Sequence, residues 1–204
     1  MRLYGIAIRP LLRGIVWILV GATARWKGCA PEPRQRIYFA NHTSHIDTIA
    51  LWSVLPSALR NVTRPVAAKD YWEKGRLRRY IAVNVLRAVL IDRLRSSENT
   101  DPLGPVIQAL KQGDSIIIFP EGTRGTQRLP GPFKGGLARL AAQFPDVELV
   151  PVYLENLHRS MPKGCCLPVP ITCTVWFGTP VAMQDQEPKN EFLERARQAI
   201  MDMA

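Results

Sequence analysis

The stretch "RIYFANHTSHID" (residues 36–47) joins a strand pattern to a polar loop. Residues 36–40 form a short apolar run, typical of a strand that is buried on both faces, and a helix is predicted from the end of the stretch to about Leu55. His42, His45 and Asp47 lie between these two elements. In α/β proteins functional groups gather in loops that follow the carboxyl ends of strands. The stretch therefore predicts both a central strand and a functional loop.

The rest of the chain alternates short apolar runs with amphipathic ones. This alternation predicts an α/β fold with a mixed, largely parallel sheet flanked by helices. Asp101 is the expected N-cap of one helix, with Pro102 at its first position and Gly113 as its terminator. No repeat or Gly/Ser linker interrupts the pattern, so we expect one domain over residues 31–204. The further predicted strands are 65–69, 88–92, 115–119, 148–154 and 171–178, and the further helices are 76–88, 101–113, 135–144 and 190–203.

The positive charge of the chain is confined to two segments. The 204 residues carry a formal charge of +10, with 47% hydrophobic and 22% charged residues, a composition typical of globular proteins. Residues 1–36 hold seven basic residues against one acid, and residues 60–95 hold ten against three. Such segments are compatible with nucleic acid, an anionic membrane surface, phosphorylated substrates or an acidic carrier protein.

The four cysteines predict neither a disulfide framework nor a nucleophile. They are Cys29, Cys165, Cys166 and Cys173, and no C-x-x-C pair occurs among them. Reduced thiols in a cytosol-facing protein are the simpler interpretation. No activating base lies near them in the sequence, so we expect no thiol nucleophile.

Residues 1–30 form an apolar and arginine-rich amino-terminal segment. Its longest uncharged run, Gly14–Ala24, has eleven residues, whereas a membrane-spanning helix needs about 20. We therefore predict one or two short helices that dock in the membrane interface, with arginines at the headgroups. A secretion signal and a buried core helix with a basic flank are the alternatives.

Four polar motifs follow four of the predicted strands. They are "NHTSHID", Lys69-Asp70, Asp92-Arg93 and "PEGTRG" (residues 120–125). Because the carboxyl ends of parallel strands share one edge of the sheet, these motifs are predicted to meet on one rim.

The spacing of His42 and Asp47 predicts a histidine–carboxylate pair. If a helix begins near Ser44, the aspartate reaches back to one imidazole nitrogen, holds the tautomer and leaves the other nitrogen free to accept a proton. This is half of a hydrolytic triad without a protein nucleophile, so a substrate hydroxyl would attack and the reaction would be a group transfer. Two alternatives are a metal site formed by His42, His45 and Asp47, and a polar loop whose histidines bind backbone.

The "FPEGTRG" loop (residues 119–125) has the features of a phosphate site. Its glycines permit close backbone approach, Thr123 can donate a hydrogen bond, and Arg124 offers a guanidinium fork. Glu121 is predicted to orient an arginine or an acceptor hydroxyl. A plain turn with a solvated arginine is the alternative, and Lys134 either assists binding or is simply exposed. The predicted substrate-binding residues are Lys69, Arg93, Glu121, Gly122, Thr123 and Arg124.

These motifs together are similar to a known family. "NHTSHID", "LIDR", "FPEGTR" and "VPV", in that order, resemble the four blocks of the PlsC-type glycerolipid acyltransferases, which include glycerol-3-phosphate and lysophosphatidic acid acyltransferases. The resemblance covers about residues 37–153. "AKDYW" has Asp70 where the family usually has glutamate, and His45 falls at a position that the family leaves variable.

The resemblance implies an acyltransferase that works without a cofactor or a metal. An acyl chain would pass from acyl-CoA or acyl-carrier protein to the free hydroxyl of a lysophospholipid, first among them 1-acyl-sn-glycerol-3-phosphate, to give phosphatidic acid without an acyl-enzyme. His42 would be the general base and Asp47 its orienting partner. Lys69, Arg93 and Arg124 would hold the acceptor phosphate, with Glu121 and Thr123 in support.

The resemblance also implies where the protein works and with which partners. We expect a peripheral or monotopic protein at the cytoplasmic face of the membrane, in contact with anionic lipid and, as a further partner, acyl-carrier protein, but not with nucleic acid. The alternatives are an acyltransferase for another glycerolipid or alcohol, and a catalytically silent membrane-binding relative. A nucleic-acid-binding module lacks any recognisable motif in this chain.

Overall fold

The computed structural model describes residues 14, 21–44, 46–73, 75–92, 101–160 and 171–204. Within these residues, the strands are β1 (Thr23–Trp26), β2 (Arg36–Ala40), β3 (Thr63–Ala68), β4 (Val89–Ile91), β5 (Ser115–Ile118), β6 (Glu148–Glu155) and β7 (Thr174–Phe177). The helices are α1 (Asp47–Val54), α2 (Ser57–Val62), α3 (Lys69–Trp72), α4 (Arg76–Tyr80), α5 (Gly104–Lys111), α6 (Gly136–Gln143), α7 (Leu157–Ser160) and α8 (Lys189–Met201). A π-helical turn, Ile81–Val85, continues directly from α4.

The strands form one sheet in the order β1-β7-β6-β2-β5-β3-β4. The five strands from β6 to β4 run parallel to one another, whereas β7 is antiparallel to β6 and β1 is parallel to β7. The predicted mixed, largely parallel sheet is confirmed. β2 lies in the middle of the order, as the apolar run at residues 36–40 indicated.

Alternate residues of the central strands enter two cores, one on each face of the sheet. Tyr38 and Ala40 of β2 pack in the first core, together with the buried side of α1 and the π-helical turn. Ile37 and Phe39 pack in the second core, against α5, α6 and α8. Successive side chains of a strand point to opposite faces, so a strand covered on both faces must be apolar throughout.

A buried ion pair closes the amino-terminal end of β2. Arg36 is only 2% exposed, and its Nε donates to Oε2 of Glu148 at 2.8 Å. Its Nη1 also donates to the backbone oxygen of Ala30 at 2.9 Å. The buried charge is therefore paired and hydrogen-bonded, which a guanidinium needs in a core. This polar end lies opposite the edge where the four predicted motifs begin.

The prediction of a helical segment over residues 1–30 is wrong for Thr23–Trp26. These residues form the edge strand β1, in parallel register with β7. Trp26 stacks on Phe177 of β7 with ring centroids 3.8 Å apart, and this contact, distant in sequence, outweighs any local helical tendency. Residues 1–20, except Gly14, lie outside the described residues, so the structure describes the predicted membrane-docking segment only from Gly21 onward.

Two predicted helices differ from the structure at their bounds. The helix predicted over residues 76–88 is α-helical only as far as Tyr80 and then widens into the π-helical turn. The helix predicted from Pro102 begins at Gly104, because Asp101 instead caps the preceding turn by accepting the N–H of Leu103 at 3.1 Å. Gly113 ends that region with φ +84°, as expected for a terminating glycine.

No helix in the described parts of the chain has both the length and the apolar character that crossing a membrane requires.

The aromatic contact between β1 and β7 predicts a large stability effect. Phe177 is fully buried, stacks on Trp26 and meets Tyr38 edge-on at 5.8 Å. Phe177→Ala should lower the free energy of unfolding by about 3–5 kcal/mol, because the cavity left behind adds to the lost burial. Urea denaturation measures the change. Val62→Ala, at a side chain that is 43% exposed, is the control and should change it by less than about 0.5 kcal/mol. Equal effects of the two substitutions would contradict this packing.

Candidate active site

The carboxyl ends of β2, β5, β3 and β4 lie side by side at one edge of the sheet. Each of these strands leads directly into one of the predicted motifs. β2 is followed by the loop from Asn41, β5 by the loop from Phe119, β3 by the helix α3, and β4 by Asp92. The predicted meeting of the four motifs on one rim is therefore confirmed for the parts that the structure describes. Arg93 and His45 lie outside them.

His42 and Asp47 are in direct contact at this rim. The distance between Nδ1 of His42 and Oδ2 of Asp47 is 2.9 Å, and the predicted contact is confirmed. The carboxylate is completely buried, while the imidazole is 21% exposed. Oδ2 also accepts the backbone N–H groups of Thr43 and Ser44, at 2.7 and 2.8 Å. Asp47 thus shapes the loop that carries the histidine and contacts its ring at the same time.

Two neighbours that the sequence did not single out fix the position of His42. The ring of Phe119 stacks on the imidazole, with centroids 4.2 Å apart and planes 24° from parallel. Before the histidine, the buried amide of Asn41 accepts the N–H of Leu154 at 2.7 Å and donates to its oxygen at 3.3 Å. Asn41 directly follows one predicted strand and Phe119 is the last residue of another, and this position at a strand end is the signal that could have found them.

Glu121 links the two loops of the site. Its Oε1 accepts the N–H of His42 at 2.8 Å, and its Oε2 accepts the N–H of Gly131 at 3.0 Å. The N–H of Gly125 in turn donates to the oxygen of His42 at 2.8 Å. The structure thus gives Glu121 a positioning role toward the His42 loop, which the sequence did not predict. Burial raises the pKa of this carboxyl, and the N–H groups of His42 and Gly131 oppose the rise.

Lys134 lies across the backbone of Gly122. A Cβ placed on Gly122 would come within 2.7 Å of Nζ and 2.9 Å of the lysine stem, so any other residue here would displace the end of the lysine side chain. The positive φ of Gly122, +73°, also favours glycine. The N–H of Lys134 donates to the oxygen of Pro120 at 2.8 Å, which ties the lysine to the same loop.

A cavity of about 1210 Å³ opens beside His42. Gly122, Thr123, Arg124 and Lys134 line it together with the histidine. Its remaining lining is largely apolar, with side chains from the ends of β3, β4 and β5 and from α6, namely Val66, Ile91, Ile118 and Leu137. One space therefore combines an imidazole, cationic groups and an apolar wall.

The predicted substrate-binding residues divide by location. Gly122, Thr123 and Arg124 line the cavity, whereas Glu121 holds the loops beneath it. Lys69 begins α3 at the same edge, exposed and outside the cavity lining that the described residues form. The guanidinium of Arg124 lies over the ring of Tyr71, 5.5 Å from its centroid.

The described cysteines do not have the character of nucleophiles. Burial raises the pKa of Cys29, and it raises the pKa of Cys173 to about 11. Both are therefore protonated at neutral pH, whereas a nucleophilic cysteine needs its thiolate. Cys165 and Cys166 lie outside the described residues.

Comparison with known proteins assigns the family. Residues 28–155 match the family model described as Acyltransferase, which covers more than half of the chain. The chain belongs to the acyltransferase family. The match spans the loops of His42 and Glu121, and the resemblance that the sequence motifs predicted is confirmed.

Several acyltransferases of this family are similar to the chain. A 1-acyl-sn-glycerol-3-phosphate acyltransferase of Cocos nucifera is 30% identical over 196 residues, which cover 93% of this chain and 60% of that protein. The enzyme of the same name from Limnanthes douglasii is 29% identical over 187 residues, covering 90% of this chain and 62% of that protein. The chain thus spans about three fifths of the length of these relatives.

A solved acyltransferase structure has the same fold. The crystal structure of the 1-acyl-sn-glycerophosphate (LPA) acyltransferase PlsC from Thermotoga maritima superposes with a TM-score of 0.70 at 23% identity. The superposition covers 99% of this chain and 80% of that one. The α/β fold with its mixed sheet is therefore shared.

The raised pKa of Glu121 predicts a pH-dependent contribution to stability. A carboxyl whose native pKa lies above its unfolded value stabilises the fold below the unfolded pKa, and this contribution is lost as pH rises through the native pKa. The free energy of unfolding of the wild type, relative to Glu121→Gln, should therefore fall as pH rises from about 4 toward 8. Urea denaturation across this range measures the difference. The control Glu191→Gln removes an exposed carboxylate, and the wild type compared with this variant should show no such fall. If the free energy of unfolding of the wild type relative to Glu121→Gln instead rises with pH, the pKa of Glu121 is not raised in the native protein.

Proposed function

We propose that this acyltransferase transfers an acyl chain from an acyl thioester to the free hydroxyl of 1-acyl-sn-glycerol-3-phosphate, giving phosphatidic acid. The observation that carries the proposal is the His42–Asp47 contact of 2.9 Å beside a cavity with cationic side chains. The names of the relatives from Cocos nucifera and Limnanthes douglasii support the choice of acceptor.

His42 is the general base of the proposed reaction. An ionised carboxylate only accepts hydrogen bonds, so the contact with Asp47 places the imidazole proton on Nδ1. Nε2 is then left with its lone pair, ready to accept a proton from a hydroxyl in the cavity. The stacked ring of Phe119 holds the imidazole plane, which keeps Nε2 in one direction during the reaction.

The proposed step is a direct transfer within a ternary complex. The acceptor oxygen forms a bond to the thioester carbonyl carbon while its proton passes to Nε2. The tetrahedral intermediate then breaks its carbon–sulfur bond, and Nε2–H returns the proton to sulfur, so that a free thiol leaves. The protonated thiols of Cys29 and Cys173 support a route without an acyl-enzyme. Neither a cofactor nor a metal takes part.

The acceptor phosphate binds the cationic part of the cavity. Arg124 offers a guanidinium fork and Lys134 a compact ammonium group on the same loop, a combination suited to phosphate oxygens. Gly122 leaves the space in which Lys134 lies, and Thr123 adds a hydroxyl donor. Lys69 lies outside this lining, at the start of α3 on the same edge, and we propose that Lys69 and Arg93 add positive charge on the approach to the phosphate site.

Acyl-CoA and acyl-carrier protein are both proposed donors. The acceptor and the product are membrane lipids, whereas these donors are soluble molecules of the cytoplasm. We therefore also propose a peripheral or monotopic location at the cytoplasmic face of a membrane, where the two substrates meet.

If His42 is the general base, its removal should cause a large loss of turnover. His42→Ala should lower kcat by about 100- to 10,000-fold with acyl-CoA and 1-acyl-sn-glycerol-3-phosphate, because the group proposed to take the hydroxyl proton has been removed. Release of free thiol measures the rate. Thermal unfolding provides the control, since a partly exposed histidine should alter the midpoint little. A folded variant with wild-type turnover excludes His42 as the base.

If Lys134 binds the acceptor phosphate, its neutralisation should weaken the binding of phosphate-bearing acceptors only. Lys134→Gln should raise KM for 1-acyl-sn-glycerol-3-phosphate by roughly tenfold or more, since hydrogen bonds to charged groups are worth about 1.5–3 kcal/mol. Activity toward 1-acylglycerol, which has no phosphate, should not change. Steady-state kinetics gives KM and kcat for each of the two acceptors. Lys111→Gln is the matched control, because Lys111 is an exposed lysine at the opposite edge of the sheet. Equal losses on both acceptors would argue against phosphate binding by Lys134.

A further inference from the structure

We infer that a surface next to the cavity docks the protein onto an anionic lipid bilayer. This arginine–leucine surface consists of Arg76, Leu77, Arg78, Arg79 and Val83, on α4 and the π-helical turn. The inference deepens the proposed function and rests on it, because docking here would place a membrane-borne acceptor beside His42.

The first observation is the exposure of apolar side chains on this segment. Leu77 is 72% exposed, the highest value among the large hydrophobic residues that the structure describes, and Val83 is 43% exposed. The opposite side of the same segment is firmly packed, with Ala82 and Val85 fully buried in the first core. A single exposed leucine needs no explanation, but an exposed leucine flanked by exposed arginines combines the two kinds of group that bind a membrane interface, apolar and basic side chains.

The second observation is the charge of the segment. Residues 69–87 hold six basic and two acidic residues, a net charge of +4. Arg76, Arg78 and Arg79 are three of the five residues of α4, and all three are exposed. Basic residues next to apolar ones favour anionic headgroups, since the charge attracts the lipid surface while the apolar side chain enters it.

The third observation joins this surface to the cavity. The guanidinium of Arg78 lies 5.1 Å from the centroid of the Tyr71 ring, and that of Arg124 lies 5.5 Å from the same centroid. Tyr71 and Arg124 both line the cavity that holds His42. One aromatic ring therefore separates the docking surface from the proposed phosphate site, and a guanidinium group lies on the ring from each of the two sites.

Vesicle binding by the full chain tests the inference. Binding is measured by co-sedimentation with vesicles of phosphatidylglycerol and phosphatidylcholine. Leu77→Ser should weaken binding by roughly tenfold, because it removes the burial of one leucine side chain, and Leu77→Phe should strengthen it. Val62→Ser is the matched control, because Val62 is 43% exposed at the amino-terminal end of β3, away from the cavity edge. Unchanged binding by Leu77→Ser, or equal losses for Leu77→Ser and Val62→Ser, overturns the inference.

The charge is tested separately. Arg79→Gln should weaken binding to the anionic vesicles by roughly fivefold, which corresponds to about one basic residue at a lipid surface, and should have no effect with phosphatidylcholine alone. Lys111→Gln is the matched control at the opposite edge of the sheet and should have no effect on either vesicle. Equal losses for the two variants would mean a nonspecific attraction and overturn the inference.

Activity measurements separate this inference from the proposed function. Leu77→Ser should lower kcat/KM for long-chain 1-acyl-sn-glycerol-3-phosphate in vesicles, and leave the rate with a soluble short-chain acceptor unchanged. A wild type that acylates neither acceptor rejects the proposed function, while the vesicle-binding result still decides whether the surface docks. If Arg79→Gln slows transfer only from acyl-carrier protein and keeps normal vesicle binding, the surface binds the carrier protein and the lipid inference fails.

Discussion

A single buried oxygen atom organises the edge of the sheet at which the proposed active site lies. Oδ2 of Asp47 accepts two backbone N–H groups of the loop that precedes it and contacts the imidazole of His42. The same atom therefore holds both the loop conformation and the position of the histidine ring. Because the carboxylate is fully enclosed, these contacts replace water at Oδ2, and the geometry of the loop and the position of the ring depend on each other.

The parallel sheet supplies the second level of organisation. Its order places the end of β2 next to the end of β5, so that the loop of His42 and the loop of Glu121 are neighbours. Glu121 can therefore accept the N–H of His42 although the two residues are 79 positions apart in the sequence. The carboxylate of Glu121 then fastens the two loops through their backbones. Catalytic and binding groups of the proposed site are thus held by main-chain hydrogen bonds, which leaves the side chains that line the cavity to meet the substrates.

The sequence predicted the features that depend on local pattern. β2 and β5 were found because each is an apolar run with clear polar boundaries, and the His42–Asp47 contact followed from spacing at a helix start. β1 was missed because its four residues become a strand only through pairing with β7, far along the chain. The backbone partners of Glu121 were missed for a related reason, since residue types do not show where main-chain N–H groups point. The π-helical turn likewise depends on packing of its buried side rather than on residue preference.

The amide of Asn41 acts as a substitute peptide group. It offers Leu154 one acceptor and one donor, the same pair that a neighbouring strand would offer, at the point where the chain leaves the sheet for the His42 loop. The main chain can therefore turn away from β6 without leaving a buried N–H or C=O unsatisfied. An aspartate has no donor and a leucine has neither group, so the chemistry of this corner restricts the position to a side chain that copies the backbone.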